Sequence, residues 1–335
     1  MQMTHAAENP FFGKFKTPFE TPPFDKIRTE HYEPAFDEGI LRMEREVKAI
    51  AENPQPATFS NTIVALERAG KLLSTVSSVF FNVLSAEAND EMMEISQRVS
   101  PKLSECSNNI YLNEQLFARV KAVYDQRAQL NLSTEDAKLL DNTYESFKEQ
   151  GATLNAADKE TFRQLSMEMS QLTLQFDQNA LKDKNRYELL ITDEQDLAGL
   201  PESAREAAAI RAKEKGKSGW LFNLSAPSYV PFMRYADNRA LREQVYRAYM
   251  SIGNKGDEFD NKEIIRKIVN DRLQIARLMG HKNYAEYALE HTMAKTPARV
   301  YQLLNQLLDA YKPVAINEYK EVQGFAEQLV EQLID

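Results

Sequence analysis

Phe162, Leu165, Met169, Leu172 and Phe176 step by three and four residues through two heptads. Only an α-helix places such positions on one face, so this segment must fold as a helix with one buried side. Two heptads are too short for a coiled coil, and the spacing predicts packing of helix on helix at a shallow angle. The same rhythm recurs along the chain. From Ile63 the positions Leu66, Gly70, Leu73, Ser77, Phe80 and Leu84 form one stripe and predict a single helix. Asn113 opens another, through Leu116, Val120 and Val123. Ser133 with Asp136 makes an N-terminal cap, Ala137, Leu140, Tyr144 and Phe147 face one way, and Gly151 is the stop. The chain has only 11 glycines, about 3% against a usual level of roughly 7%. Hairpins and bulges consume glycine, so its scarcity also favours helices.

The pattern changes near Arg186. Residues 187–192 and 220–224 are short, branched and aromatic, and predict two paired strands flanking a small helix from Pro201 to about Lys215. Residues 213–219, with Gly216, Gly219 and three lysines, are the candidate mobile loop. Helices resume over 238–252 and 260–279, the latter stopped by Gly280. A long last helix starts at Thr296-Pro297. Pro313 lies inside it and is expected to kink it. Phe325, Leu329 and Ile334 keep helical spacing up to Asp335, which hints at a longer natural polypeptide. At the other end, residues 9–34 carry Asn9-Pro10-Phe11-Phe12, Thr17-Pro18-Phe19 and Pro22-Pro23-Phe24. Prolines block regular structure while phenylalanines need apolar cover, so we expect an extended arm lying across the helices.

Catalytic patterns are missing. A helical zinc site needs two histidines four apart, as in His-Glu-x-x-His. The four histidines, His5, His31, His281 and His291, supply no such pair. His281 and His291 converging with Glu286 or Glu290 is the one weak possibility, and histidines satisfied at helix ends are the expected reading. Glu286 and Glu290 as a carboxylate pair are expected by chance among 50 acidic residues. No Gly-x-Ser-x-Gly, phosphate loop or dinucleotide fingerprint occurs. Cys106, the single cysteine, follows Glu105, which disfavours a thiolate, and we expect it buried and inert. It also rules out an intrachain disulfide. In the arginine-aromatic run from Asn238 to Tyr249, Arg239 or Arg242 could clamp a carboxylate. Pairing with glutamates of neighbouring helices is the favoured alternative. A net charge of −9 argues against nucleic acid as a partner. The most apolar stretch, 76–84, is far short of the ~20 residues a membrane helix needs. Residues 1–9 lack a secretory signal, so we expect a cytoplasmic protein, or a periplasmic or secreted one if a signal is removed upstream.

Several segments in order resemble the thimet oligopeptidase and dipeptidyl carboxypeptidase family of zinc metallopeptidases. They begin with the Pro/Phe arm and His31-Tyr32-Glu33-Pro34-Ala35-Phe36. Phe59-Ser60-Asn61-Thr62-Ile63 and Pro101-Lys102-Leu103-Ser104 follow, then Gly151-Ala152-Thr153-Leu154, Phe176-Asp177-Gln178-Asn179 and Asp196-Leu197-Ala198-Gly199-Leu200-Pro201. The arginine-aromatic run, Ala276-Arg277-Leu278-Met279-Gly280 and Met293-Ala294-Lys295-Thr296-Pro297 complete the series. Together they cover essentially the whole chain.

The resemblance implies a mostly α, multi-helix lobe of a channel-type zinc oligopeptidase, with a small two-stranded β element near 187–224. It implies an extended arm over 1–34, an N-terminal helical region over 35–185, a small β-containing insertion over 186–225, and a helical region over 226–335. The last leads toward a zinc-binding catalytic domain whose ligands lie beyond Asp335 in the family's order. It further implies a parent enzyme that takes dipeptides from the C-termini of short peptides, with zinc as its cofactor. This segment would be a non-catalytic wall of the substrate channel, its partners being short peptides and the catalytic domain of the same polypeptide. No catalytic or metal-binding residue of the family maps onto this chain, and its substrate-binding residues are unknown. Family members commonly carry arginine where Ile252 stands. The alternative is a stand-alone helical module derived from the family that binds peptides or proteins.

Overall fold

The computed structural model describes residues 9–334, with side chains through 329. Helices dominate, as the periodicities require. They are α1 (Tyr32–Ala51), α2 (Ala65–Arg68), α3 (Lys71–Glu87), α4 (Asp90–Tyr111), α5 (Glu114–Asp125), α6 (Thr134–Glu149) and α7 (Ala156–Asn185). After α7 come β1 (Leu189–Ile191), α8 (Glu202–Glu214) and β2 (Trp220–Phe222). The remaining helices are α9 (Ala226–Tyr235), α10 (Arg239–Met250), α11 (Lys262–Leu278), α12 (Tyr284–Leu289) and α13 (Pro297–Ile334). β1 and β2 pair antiparallel, Leu189 opposite Phe222 and Ile191 opposite Trp220. The chain divides into two compact units, Met1–Asp271 and Arg272–Asp335.

In the first unit, α1 packs on α3 and α4, and α4 packs on α7. One core gathers Tyr32, Phe36, Phe80 and Val99 around Phe11 of the arm. A second joins Ile63, Leu116, Leu140 and Phe147. Phe36, Phe80 and Phe147 are wholly buried, and truncating any one to alanine should cost about 3–5 kcal/mol. A third core lies over the two strands, where Phe222, Leu224 and Phe232 meet Val245. The heptad stripe behaves as its spacing requires. Phe162, Leu165 and Leu172 are buried, while Met169 and Phe176 pack with Leu172, Ile264 and Ile268. The caps are also as read: Asn113 and Ser133 accept from the amides of Leu116 and Asp136, and Gly151 closes with φ +86.

Two expectations fail in instructive ways. The stripe from Ile63 is not one helix. It is a π-helical turn (Phe59–Val64), then α2, then α3, with Gly70 between at φ +71. The Gly70 amide donates to Glu46 at 2.7 Å, and a Cβ there would lie 2.5 Å from the Met43 sulfur. Only glycine fits such a left-handed corner beside a neighbouring helix. The arm, for its part, is not simply extended. It contains short 3-10 turns (Pro10–Phe12, Pro18–Glu20, Thr29–His31), and α1 already opens at Tyr32. Its phenylalanines also divide, with Phe11 buried but Phe24 exposed and Phe19 99% exposed. In the second unit, α13 runs as one assigned helix through Pro313.

Candidate functional site

The segments that carry the family resemblance are mostly structural locks. In Phe59-Ser60-Asn61-Thr62-Ile63, the Asn61 side chain accepts from the Thr58 amide at 2.8 Å. Thr58 Oγ1 in turn accepts from the Asn61 amide at 3.1 Å, a reciprocal cap. Arg119 of α5 seals this turn by donating to Asn61 Oδ1 and to the carbonyls of Asn53 and Gln55. In Phe176-Asp177-Gln178-Asn179, the Gln178 amide binds Gln97 and the Met93 carbonyl on α4. Asn179 donates to Asn261 at 3.0 Å, and Asn261 donates back to the Phe176 carbonyl. Near the end of α7, the fully buried Asp183 accepts from the Gly253 amide, Lys255 Nζ and Arg186 Nε at 2.7–2.8 Å. Burial opposes its charge, but the bonds from Lys255, Gly253 and Arg186 outweigh that and hold its carboxyl below the usual range. These bonds fasten the α10–α11 connection to α7. Ile252, at the position where the family commonly has arginine, packs against the core over the strands.

The singled-out polar residues have ordinary partners. His5 lies outside the described residues. His31 Nδ1 accepts from the Arg28 amide at 2.9 Å. Arg242 donates to the carbonyls of Ala236 and Asp237 at the end of α9, not to a glutamate of a neighbouring helix. A helix C-terminus offers unpaired carbonyls close by, so the guanidinium need not reach for a carboxylate. Arg239 is exposed. Cys106 is buried, and burial, with Glu44 and Glu105 adding to it, pushes its thiol up to about 11. Loop 213–219, the candidate mobile loop, is tethered at two of its lysines. Lys215 and Lys217 both bond Glu188, whose carboxyl they lower to about 2, and the Lys217 amide reaches the Ala212 carbonyl at 2.8 Å.

The structure does bring His281, His291 and Glu290 together. Glu290 Oε2 lies 3.3 Å from His281 Nε2 and 3.7 Å from His291 Nε2. Glu286 stands apart from them as a capping residue: its amide donates to Asn283 and its carboxylate accepts from the Lys282 amide. A metal site needs its donor atoms to point at one common centre. Here two imidazoles approach a single carboxylate oxygen, which is a hydrogen-bond or ion-pair arrangement. Among the described residues no group of three or more His, Cys, Asp or Glu could hold a metal ion. A zinc ion therefore does not fit the side chains described.

What the residue-by-residue search misses is apolar. Helix α13 is exposed on every side over 301–323, baring Tyr301, Leu308 and Tyr319 as well as Leu304, Leu307 and Tyr311. The spacing signal was in plain view, but periodicity reports that a face exists, not whether anything covers it. Among the described residues no helix is long and apolar enough to cross a membrane.

Comparison with known proteins places these features. Residues 232–333 match the profile of Peptidase family M3. The dipeptidyl carboxypeptidase of Escherichia coli (strain K12) is 37% identical over 321 residues, which is 96% of this chain and 47% of that protein. Its Salmonella typhimurium counterpart is 36% identical, over 94% of this chain and 47% of its own length. Oligopeptidase A of E. coli is 32% identical, over 93% and 46%. The chain thus resembles peptidases. Over nearly its whole length it is similar to dipeptidyl carboxypeptidases and oligopeptidase A, and it spans about half the length of the curated relatives it matches.

Proposed function

We propose that this chain is the N-terminal, non-catalytic lobe of a zinc-dependent peptidyl-dipeptidase that releases dipeptides from the C-termini of short peptides. In this reading it forms one wall of the substrate channel. The observation that carries it is the asymmetry of the alignments: 96% of this chain matches a dipeptidyl carboxypeptidase, yet only 47% of that enzyme is matched. The zinc and the groups that activate water belong to the remainder of the polypeptide, and the chain described here supplies packing, shape and exclusion of bulky substrates. The earlier division at 34, 185 and 225 remains our reading of how the lobe is built. The compartment we assign is the cytoplasm, in keeping with an unpaired Cys106.

The test is hydrolysis of a blocked tripeptide with added zinc. This chain alone should give no turnover, while the same chain continued by its second half should release the C-terminal dipeptide. Zinc-dependent cleavage by residues 1–335 alone would overturn the reading.

A further inference from the structure

We propose that the cleft over α4, between α2 and α6, binds a small organic cation: a protonated amine carrying an aromatic or branched apolar body. The cleft holds about 520 Å³, within the roughly 300–1,000 Å³ of small-molecule sites. Met43, Leu66 and Leu73 line it from α1, α2 and α3, and the buried Cys106, Ile110 and Phe147 form its floor. Glu67 is the single charged residue of the lining. It is exposed, and among the described residues it makes no hydrogen bond or ion pair. The side chains of Ser107, Tyr111, Asn142 and Ser146 also make no hydrogen bond there. An apolar floor with a few uncommitted polar groups and one charge is the lining that orients an amphipathic molecule.

The field sets the sign of the ligand's charge. No lysine or arginine lines the cleft. Glu44 and Glu105 line an adjoining hollow that shares Cys106 with it, and Lys102 of that hollow is already paired with Asp37 and Glu33. After burial itself, Glu44 and Glu105 are what raise the Cys106 thiol, so their charge reaches the floor of the cleft. Burial likewise raises the Tyr111 hydroxyl, which stays neutral and able to donate. An anion would therefore meet Glu67, Glu44 and Glu105 without a compensating cation, whereas an ammonium is attracted by each. A purely apolar molecule would use the floor but not Glu67. Tyr111 and Phe147 meet edge to face at 5.0 Å, an aromatic wall on which a ring or a cation can rest. The walls are also held apart before any ligand arrives. The Phe59–Val64 turn packs on both α2 and α6, α5 packs on that turn and on α6, and the Glu46 bond to the Gly70 amide fixes the corner between α2 and α3. A site built in advance lowers the ordering cost of binding.

Isothermal titration of 2-phenylethylamine into this chain at neutral pH, where the amine is protonated, tests the site. We expect one saturable site with a dissociation constant of about 1 mM or tighter. The uncharged 2-phenylethanol should bind about fivefold more weakly, the size of one exposed ion pair, and 3-phenylpropionate should not bind. Glu67→Gln should bring the amine down to the affinity of the alcohol and leave the alcohol unchanged. Ser107→Phe, which fills the cleft, should abolish both. Circular dichroism checks that each variant keeps its helices, and the exposed Glu67→Gln decides the matter should Ser107→Phe fail to fold. Absence of saturation, equal binding of amine and alcohol, binding of the acid, or amine binding indifferent to Glu67→Gln overturns the proposal. So does a site seen in this chain but lost when the polypeptide is continued by its second half, because the cleft then belongs to an interface. None of these readouts involves peptide hydrolysis, so the site and the peptidase reading stand or fall separately.

Discussion

Asp183→Asn tests whether the α10–α11 connection is held by electrostatics or merely by packing. The carboxylate is fully buried and takes three donors: the Gly253 amide, Lys255 and Arg186. Asparagine keeps the shape and can still accept from Gly253, but its NH₂ then faces Lys255 or Arg186. A hydrogen bond to a charged group contributes about 1.5–3 kcal/mol, and breaking a buried pair costs about 3–5 kcal/mol. Arg186 is 36% exposed and retains Asp257 and Glu258, and Lys255 is 27% exposed. Both can be rehydrated, so we place the loss near the bottom of that range, at about 3 kcal/mol. Urea unfolding followed by far-UV circular dichroism measures it, and amide exchange at Gly253 reports it locally. The folded carboxyl is depressed, so its stabilisation is present above the unfolded value and lost as pH falls through the folded one. The gap between wild type and variant should therefore close in acid. A variant as stable as wild type at neutral pH, or a gap indifferent to acid, would refute the electrostatic account.

Asp271→Asn should stabilise the protein at neutral pH. Burial, with Glu168 adding to it and Lys267 opposing, raises the Asp271 carboxyl, so ionisation is costly and the variant's higher melting temperature should vanish as pH falls. Glu188→Gln should free the Lys213–Gly219 loop to trypsin. In wild type the tether should survive acidification until pH approaches 2, because that is where the depressed carboxylate is protonated. Gly199→Ala should destabilise by more than the ~1–2 kcal/mol of a left-handed residue. Its φ is +83 and the new Cβ would fall 2.1 Å from the Tyr235 carbonyl, a loss readable by thermal melting.

Legibility followed the range of the interaction. The α7 stripe and the caps at Asn113 and Ser133 depend on neighbours within a few residues, and each was read correctly; the strands were legible from their own branched and aromatic runs, although they pair across α8. The break at Gly70 was not, because Met43 and Glu46, which select the left-handed corner, lie on another helix. The Arg242 cap was missed for a related reason: a backbone carbonyl has no letter in the sequence, whereas a glutamate does.

By itself the sequence determined the helical class, the approximate bounds of α6, α8, α10 and α11, the strand pair and, through ordered motifs, the likeness to a peptidase family. Tertiary structure decided what those motifs do, turning Phe176–Asn179 into a buckle between α4, α7 and the α10–α11 connection. It also decided that α13 stays exposed on every side, its apolar residues included. Periodicity is a local property of one helix, while burial depends on every other element that arrives beside it.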